Sequence, residues 1–177
     1  MKWYHDVLQT RFWGFKSLPR CQILISNSML RIYNDSTDTT VSDFKDITCK
    51  LDEIGVLYKN TFSTSTTLDT IDYIKYEYSV PYYDVVFLNN KTINYNKIRK
   101  EFIREHTHTD FEMRFITHGT ATFYIKDSST IYEITVNTGD LISIPANMKH
   151  WFDAGETPDL SAIRFFTDTN GWIANYT

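Results

Sequence analysis

The strongest constraint on the fold is a run of short strand-like segments, separated by turn residues, between residues 105 and 167. Residues 121–126 and 131–136 flank the polar turn Asp127-Ser128-Ser129 and predict a β-hairpin. The other strands predicted in this region are residues 112–116, 141–145, 150–152 and 161–166. Short strands joined by regular turns favour a closed double-sheet barrel or jelly roll.

The first hundred residues mix helical and extended patterns. Their apolar spacing predicts strands near residues 23–25 and 30–32, helices over 44–54 and 68–78, a buried strand over 83–88 and a helical turn or two over 98–103. Gly55 suits the left-handed end of the first helix, and Pro81 bars extension of the second. We therefore expect a mostly β fold with a few N-terminal helices.

Composition excludes several classes of function. A net charge of -4 gives no reason to expect a nucleic acid partner, and no apolar run approaches the roughly 18 residues of a membrane span. Cys21 and Cys49 are isolated thiols, which makes a reducing, cytoplasmic location the default. A catalytic cysteine paired with a histidine has no local support in the sequence.

The N-terminal residues 1–16 contain aromatic and basic residues but no continuous hydrophobic stretch, so they do not predict a secretory signal. They could form a surface amphipathic anchor. The interpretation that we favour is an extra segment packed on the domain.

In the strand-rich region, several side chains that could bind a metal lie at even-numbered positions. Residues two apart on a strand share a face, so His106, His108, Glu112 and Arg114 could line one inward row. His150 lies on a later strand. Three imidazoles and a carboxylate inside a small barrel are costly unless they are compensated, and one divalent metal compensates all four.

The donor set limits the choice of metal. Without thiolates, zinc-finger-like and iron–sulfur sites are excluded, whereas nitrogen and carboxylate donors suit octahedral Fe(II), Ni(II), Co(II) or Mn(II). An isolated His-x-His pair is commonly a surface or core feature, but Glu112, Gly119, Gly139 and Pro145 at fixed offsets make this pattern more specific. His5 and His118 are expected to be ordinary surface or turn residues.

The spacing His106-x-His108-x3-Glu112-x6-Gly119 resembles the first cupin motif, and Gly139-x5-Pro145-x4-His150 resembles the second. Lys100 replaces the leading glycine of the first motif. Asn147 replaces a glycine of the second, and asparagine tolerates the left-handed backbone that such a turn uses. The resemblance implies a cupin double-stranded β-helix, the jelly-roll barrel already favoured by the strand pattern.

Six longer strings narrow the resemblance to the acireductone dioxygenase family: Glu105-His-Thr-His108, Glu112-Met-Arg114-Phe115, Ile144-Pro-Ala146, His150-Trp-Phe-Asp153, Ala162-Ile-Arg-Phe-Phe166 and Gly171-Trp-Ile-Ala174. The similarity is strong over residues 83–176, faint from residue 30 and absent before residue 29. We therefore predict an N-terminal extension at 1–28 and a single cupin domain at 29–177, with residues 29–100 packed on a barrel core of about 83–167. Asp110 and Phe111 depart from the residues common in the family.

The resemblance implies an enzyme that uses O2 to cleave an acireductone (1,2-dihydroxy-3-keto-5-methylthiopentene) in methionine salvage. It implies one divalent metal per chain, Fe(II) or Ni(II), with Co(II) and Mn(II) as alternatives. An iron form of such an enzyme yields a keto acid and formate, and a nickel form yields a methylthio acid, formate and carbon monoxide. The expected partners are the small enediol and O2, with no nucleic acid and no membrane, and the expected state is a monomer.

The same resemblance assigns roles to individual residues. His106, His108, Glu112 and His150 would hold the metal, and Arg114 and Arg164 would neutralise the enediolate in a catalytic role; alternatively, Arg114 forms a salt bridge with Glu105 or Asp110. Aromatic residues expected to bind the substrate are Phe102, Phe152 and Trp172, although aromatics are also normal core residues. Glu105 and Asp110 would orient the imidazoles.

Two other functions stay open at this point. One is a diverged paralogue that oxidises another enediol or dicarbonyl, suggested by Phe111, the N-terminal extension and a shortened stretch between residues 62 and 83. The other is a metal-bound cupin sensor without turnover. Two arginines facing an open metal position favour an anionic reactant over this sensor.

Overall fold

The computed structural model describes residues 27–61, 67–168 and 173–177. Eleven β-strands and three α-helices lie in these ranges. The strands are β1 (Met29–Tyr33), β2 (Asp38–Val41), β3 (Leu57–Asn60), β4 (Tyr82–Leu88), β5 (His106–Thr107), β6 (Glu112–Asp127), β7 (Thr130–Asn137), β8 (Asp140–Ile144), β9 (Lys149–Asp153), β10 (Leu160–Phe166) and β11 (Asn175–Tyr176). The expected strand near residues 23–25 lies outside the described residues.

The helices are α1 (Phe44–Asp52), α2 (Thr67–Glu77) and α3 (Tyr95–Phe102). The carboxylate of Asp43 caps α1 by accepting from the backbone N–H groups of Lys45 and Asp46. Gly55 follows α1 with φ +78°, as its stop position predicts. No helix in the described part of the chain is long and apolar enough to cross a bilayer.

Two antiparallel sheets share the long strand β6. One runs β11-β5-β9-β6-β7-β1-β2, and the other runs β4-β10-β6-β8-β3. The sequence predicts two separate strands here, but Glu112–Asp127 is one strand that changes partners near Gly119. Its first half pairs with β8 and β10, and its second half with β7 and β9. The mostly β, jelly-roll class is confirmed.

The core lies between the two sheets. Leu30, Phe123 and Ile134 contribute from one sheet, and Ile116 and Ile142 from the other, all at most 1% exposed. Burying each such side chain contributes about 1.5–3 kcal/mol. The barrel interior is therefore a packed apolar core, and the few polar side chains buried in it require a separate explanation.

A second apolar cluster covers the outer face of the β4-β10-β6-β8-β3 sheet. Ile71 and Ile74 of α2 pack there with Met113, Phe115 and Phe165. Met113 and Phe115 have odd numbers, so their neighbours Glu112 and Arg114 face the opposite side, into the barrel. The alternation of β6 thus places apolar residues under α2 and charged residues inside.

Residues 83–88 form a strand as predicted, but the expectation that this strand is buried is wrong. β4 is the edge of its sheet and pairs only with β10 among the described strands. Val85 and Phe87 are 59% and 61% exposed. The apolar run YDVVFL is typical of a buried strand, but whether another element covers a face depends on long-range packing that no local pattern contains.

Candidate metal centre

Three short segments bring the candidate ligands together inside the barrel. His106 lies on β5 directly opposite His150 on β9. His108 follows β5 by one residue, and Glu112 begins β6. All four side chains are buried, with exposures of 8% for His106, 6% for His108, 2% for Glu112 and 1% for His150. The structure therefore brings together the four residues predicted to hold the metal.

Their donor atoms form a compact cluster in which all lie within 4.8 Å of one another. Glu112 Oε2 lies 2.9 Å from His108 Nε2 and 3.3 Å from His150 Nε2. Three imidazole nitrogens and one carboxylate oxygen suit a first-row divalent ion, and four ligands leave two octahedral positions open. This group could hold one metal ion.

Backbone carbonyl groups orient all three histidines. Nδ1 of His106 lies 2.7 Å from the Arg104 oxygen, and Nδ1 of His150 lies 2.8 Å from the Met148 oxygen. Nδ1 of His108 lies 3.0 Å from the Ile173 oxygen. A carbonyl can only accept, so each Nδ1 carries a proton and each Nε2 is directed to the cluster, where its lone pair can bind a metal once Nε2 is deprotonated.

The turn of the second motif also contacts the first. Asn147 has φ 62°, so the asparagine adopts the left-handed conformation expected at this departure from the motif. Its backbone N–H donates to the His108 carbonyl at 2.8 Å. This bond fixes the His108 segment relative to the strand that carries His150.

The electrostatics of the cluster keep Glu112 ionised. Burial alone would raise its pKa, but Arg114, His108 and His150 together hold the pKa of Glu112 well below its usual value. Burial lowers the pKa of His106, which favours the neutral imidazole. Burial is also the largest single influence on the pKa of His108 and acts to lower it, but the hydrogen bond and the charge of Glu112, together with the hydrogen bond to the Ile173 carbonyl, outweigh burial and raise this pKa.

Arg114 lies beside the cluster and is 7% exposed. Its Nε donates to Glu112 Oε1 at 2.7 Å. The salt-bridge partner is thus Glu112, and neither Glu105 nor Asp110, the two partners considered from the sequence. The guanidinium carbon lies 4.5 Å from the ring centroid of Phe152 and 5.6 Å from that of Phe123.

Arg164 lies opposite Arg114 in the register of β10 and β6. Its Nε donates to Asp84 Oδ1 at 2.8 Å, and its side chain is 31% exposed. The inward row of this sheet therefore runs Asp84, Arg164, Arg114, with Glu112 two residues from Arg114 on the same face. Asp84 could not be identified from the sequence, because only the β4–β10 register places it beside Arg164.

Glu105 and Asp110 make other contacts than those expected of them. Glu105 binds Lys149 at 2.9 Å and Lys126 at 3.2 Å. Asp110 accepts from the Phe111 N–H and from the Thr167 hydroxyl. The Nδ1 atoms of the candidate ligands contact backbone oxygens instead, so an orienting role for either acid stays a prediction.

Among the predicted substrate-binding aromatics, Phe102 and Phe152 pack edge to face with ring centroids 5.7 Å apart. Trp172 lies outside the described residues. Tyr176 was missed: its ring centroid lies 5.7 Å from that of His106 and 3.9 Å from the Arg104 guanidinium carbon. Its β11 pairing with β5 could not be inferred, because a two-residue strand leaves no periodic signal.

The two histidines not predicted to bind the metal are His118 and His5. His118 is exposed and lies 3.1 Å from Asp159, consistent with an ordinary surface residue. His5 lies outside the described residues. Among those residues, therefore, every histidine except His118 belongs to the cluster.

Comparison with known proteins agrees with this geometry. Residues 29–174 match the model of the ARD/ARD' family. The acireductone dioxygenase of Aquifex aeolicus is 36% identical over 165 residues, covering 85% of this chain and 90% of the relative. That of Granulibacter bethesdensis is 39% identical over 167 residues, covering 85% and 93%.

A solved structure supports the fold. The acireductone dioxygenase from Bacillus anthracis, which has a cadmium ion in its active centre, superposes with a TM-score of 0.74 at 28% identity. The match covers 85% of this chain and 99% of that one. The resemblance seen in the motifs and the cupin jelly roll are both confirmed, and the chain belongs to the ARD/ARD' family.

Proposed function

We propose that this protein is a metal-dependent dioxygenase that cleaves an acireductone with O2 in methionine salvage. One observation carries the proposal: three buried imidazoles present Nε2 to a buried carboxylate oxygen, all within 4.8 Å. The two relatives described above, which this chain matches over 90% and 93% of their length, are named acireductone dioxygenase. Burying these polar groups in an apolar barrel costs free energy unless they are compensated, and a bound metal ion compensates them.

The proposed ligands are His106, His108, Glu112 and His150, with Fe(II) or Ni(II) as the metal and Co(II) or Mn(II) as alternatives. The cadmium ion in the Bacillus anthracis enzyme supports a divalent ion at this site. When bound, the metal supplies Lewis acidity and a template for an oxygen-donor substrate. The three backbone carbonyls support this role, because they hold the imidazoles in the tautomer that binds metal.

The surrounding residues suit a small anionic reactant with an apolar tail. Arg114 and Arg164 supply two positive charges on the same inward face. Phe152 lies next to Arg114, and Phe102 packs against Phe152. Direct contact of the arginines or of Phe102, Phe152 and Trp172 with substrate stays a prediction. So do the cytoplasmic location, the monomeric state and the boundary at residue 28.

The test is anaerobic loading of the metal-free full chain with Fe(II) or with Ni(II), followed by acireductone and O2 with product analysis. We expect O2 uptake with formate from both forms, and carbon monoxide only from the nickel form. His150→Ala should lose metal and activity together. The matched control is His118→Ala, since this histidine is exposed and outside the cluster, and it should retain both.

Two outcomes would contradict the proposal. If metal-loaded protein consumes neither acireductone nor O2, the dioxygenase assignment fails, and tight ligand binding in the same experiment would favour the sensor. If another enediol or dicarbonyl is oxidised with much higher efficiency, the protein is a paralogue with a different substrate.

A further inference from the structure

We propose that Arg114 is a positioning residue which restrains Glu112 to bind the metal through one oxygen only. This inference rests on the proposed function and deepens it. The two carboxylate oxygens have separate partners: Oε1 accepts from Arg114 Nε at 2.7 Å, while Oε2 lies near His108 and His150. Only Oε2 therefore faces the centre of the cluster.

The restraint is rigid because Arg114 is itself held on several sides. Its planar guanidinium lies over the ring of Phe152, which is 2% exposed, and near Phe123, which is 0% exposed. Phe102 packs edge to face with Phe152. A planar cation packed against two buried rings has few alternative rotamers, so its hydrogen bond to Glu112 keeps one geometry.

The strand sets the distance between the two residues. Glu112 and Arg114 are two apart on β6, on its inward face. Both are paired on one side with β8, opposite Ile144 and Ile142, which offer Arg114 no competing acceptor side chain. Glu112 is thus the carboxylate nearest along its own strand face.

The ion pair between Arg164 and Asp84 reduces the electrostatic repulsion on Arg114. Arg164 lies opposite Arg114, and two facing cations in a sheet repel. Asp84 binds Arg164 and lies in the same register row. Its negative charge offsets the repulsion and leaves the Arg114 charge available to Glu112.

The consequence concerns the number of open coordination positions. A carboxylate using both oxygens would occupy two of six positions, and three histidines would occupy three more, leaving one. Held through Oε1 by Arg114, Glu112 occupies one position and leaves two, the number a chelating enediol needs. The restraint therefore protects the site required by a bidentate substrate.

The experiment measures metal binding without substrate. The apo forms of wild type, Arg114→Met and Arg114→Lys are titrated with Ni(II) and Co(II) against a chromophoric chelator, and the Co(II) absorption spectrum reports coordination. Arg99→Met is the matched control, because Arg99 also binds a carboxylate, Asp153, through two hydrogen bonds of 2.8 Å but lies outside the cluster.

We expect Arg114→Met to weaken metal affinity about 10–100-fold, the range typical of residues that orient metal ligands, and to alter the Co(II) spectrum. Arg114→Lys should recover part of the affinity, and Arg99→Met should stay within about twofold of wild type on the same scale. In a Glu112→Gln background the effect of Arg114→Met should largely disappear, since it acts through Glu112.

Unchanged metal affinity and spectrum in Arg114→Met, with a raised KM for acireductone, would overturn the proposal in favour of direct substrate contact. An equal loss in the Glu112→Gln background would overturn it as well. If Arg114→Met fails to fold, Arg114→Lys and its Glu112→Gln double variant carry the same test. Because these titrations contain no substrate, their outcome is independent of whether the wild-type enzyme turns over acireductone.

Discussion

Replacing Gly119 by alanine should destabilise the protein strongly, because this residue sits where β6 changes partners. Gly119 has φ +79°, and a Cβ atom built on it would lie 1.8 Å from the backbone oxygen of Asp159. The left-handed conformation costs a non-glycine residue about 1–2 kcal/mol. The clash is with backbone, which cannot rotate away, and overpacking of this kind costs about 1–3 kcal/mol, occasionally more.

The two contributions sum to a loss of about 2–5 kcal/mol in the free energy of unfolding. In a chain of this size that lowers the melting temperature by roughly 4–20 °C. The assay is urea and thermal unfolding of the metal-free protein followed by circular dichroism, so that metal binding does not contribute.

Gly155→Ala is the matched control. Its φ of +81° is nearly the same, but a Cβ atom there would meet no heavy atom within 4 Å. We expect it to lose only the conformational part, about 1–2 kcal/mol. Equal losses for the two variants, or a Gly119→Ala variant as stable as wild type, would refute the argument that close backbone approach requires glycine at the crossing of β6.

Three further predictions test the fold around the site. Asp140 is fully buried, and its carboxylate accepts four hydrogen bonds: from Ser28 Oγ, Tyr58 OH and the Asn137 N–H through Oδ2, and from Asn60 Nδ2 through Oδ1. Asp140→Asn puts a donor where an acceptor is needed. We expect it to lower the free energy of unfolding, measured in urea, by about 2–4 kcal/mol. Val85→Ala should lower the free energy of unfolding by no more than about 0.5 kcal/mol. Ile163 lies opposite Val85 in β10 and is 2% exposed, so Ile163→Ala should lower it by about 2–5 kcal/mol. Similar losses for the two variants would mean that another element covers β4. The Lys149 and Lys126 ammonium groups outweigh burial and lower the pKa of Glu105 to about 2, so ionised Glu105 stabilises the fold above its unfolded pKa near 4.5, and this contribution disappears as the pH falls toward 2. Glu105→Gln should therefore lose about 0.5–1 kcal/mol at pH 7 and less at pH 3, measured as urea midpoints, and a pH-independent difference would contradict the ion pairs as the cause.

Much of the site could be predicted from the sequence because it is carried by local spacing. The offsets between His106, His108 and Glu112 identify donors on one face of a strand, and Gly139, Pro145 and His150 identify the turn and strand that complete the set. The sequence also predicted β7 and the two halves of β6, although it divided β6 into two strands. The strand β4 was also predicted, but its exposure was not, because a local apolar run does not show whether another element covers the strand.

The sequence by itself determined the chemistry of the donors, the strand-rich barrel and the family. Tertiary structure alone decided which atom of each donor faces the centre. The carbonyl groups of Arg104, Met148 and Ile173 select the imidazole nitrogen, and Arg114 selects the carboxylate oxygen. It also decided that Asp84 binds Arg164 across 80 residues of chain. The physical reason is that a hydrogen bond depends on distances of about 3 Å between atoms, and for segments far apart in the chain such distances exist only once the sheets have paired.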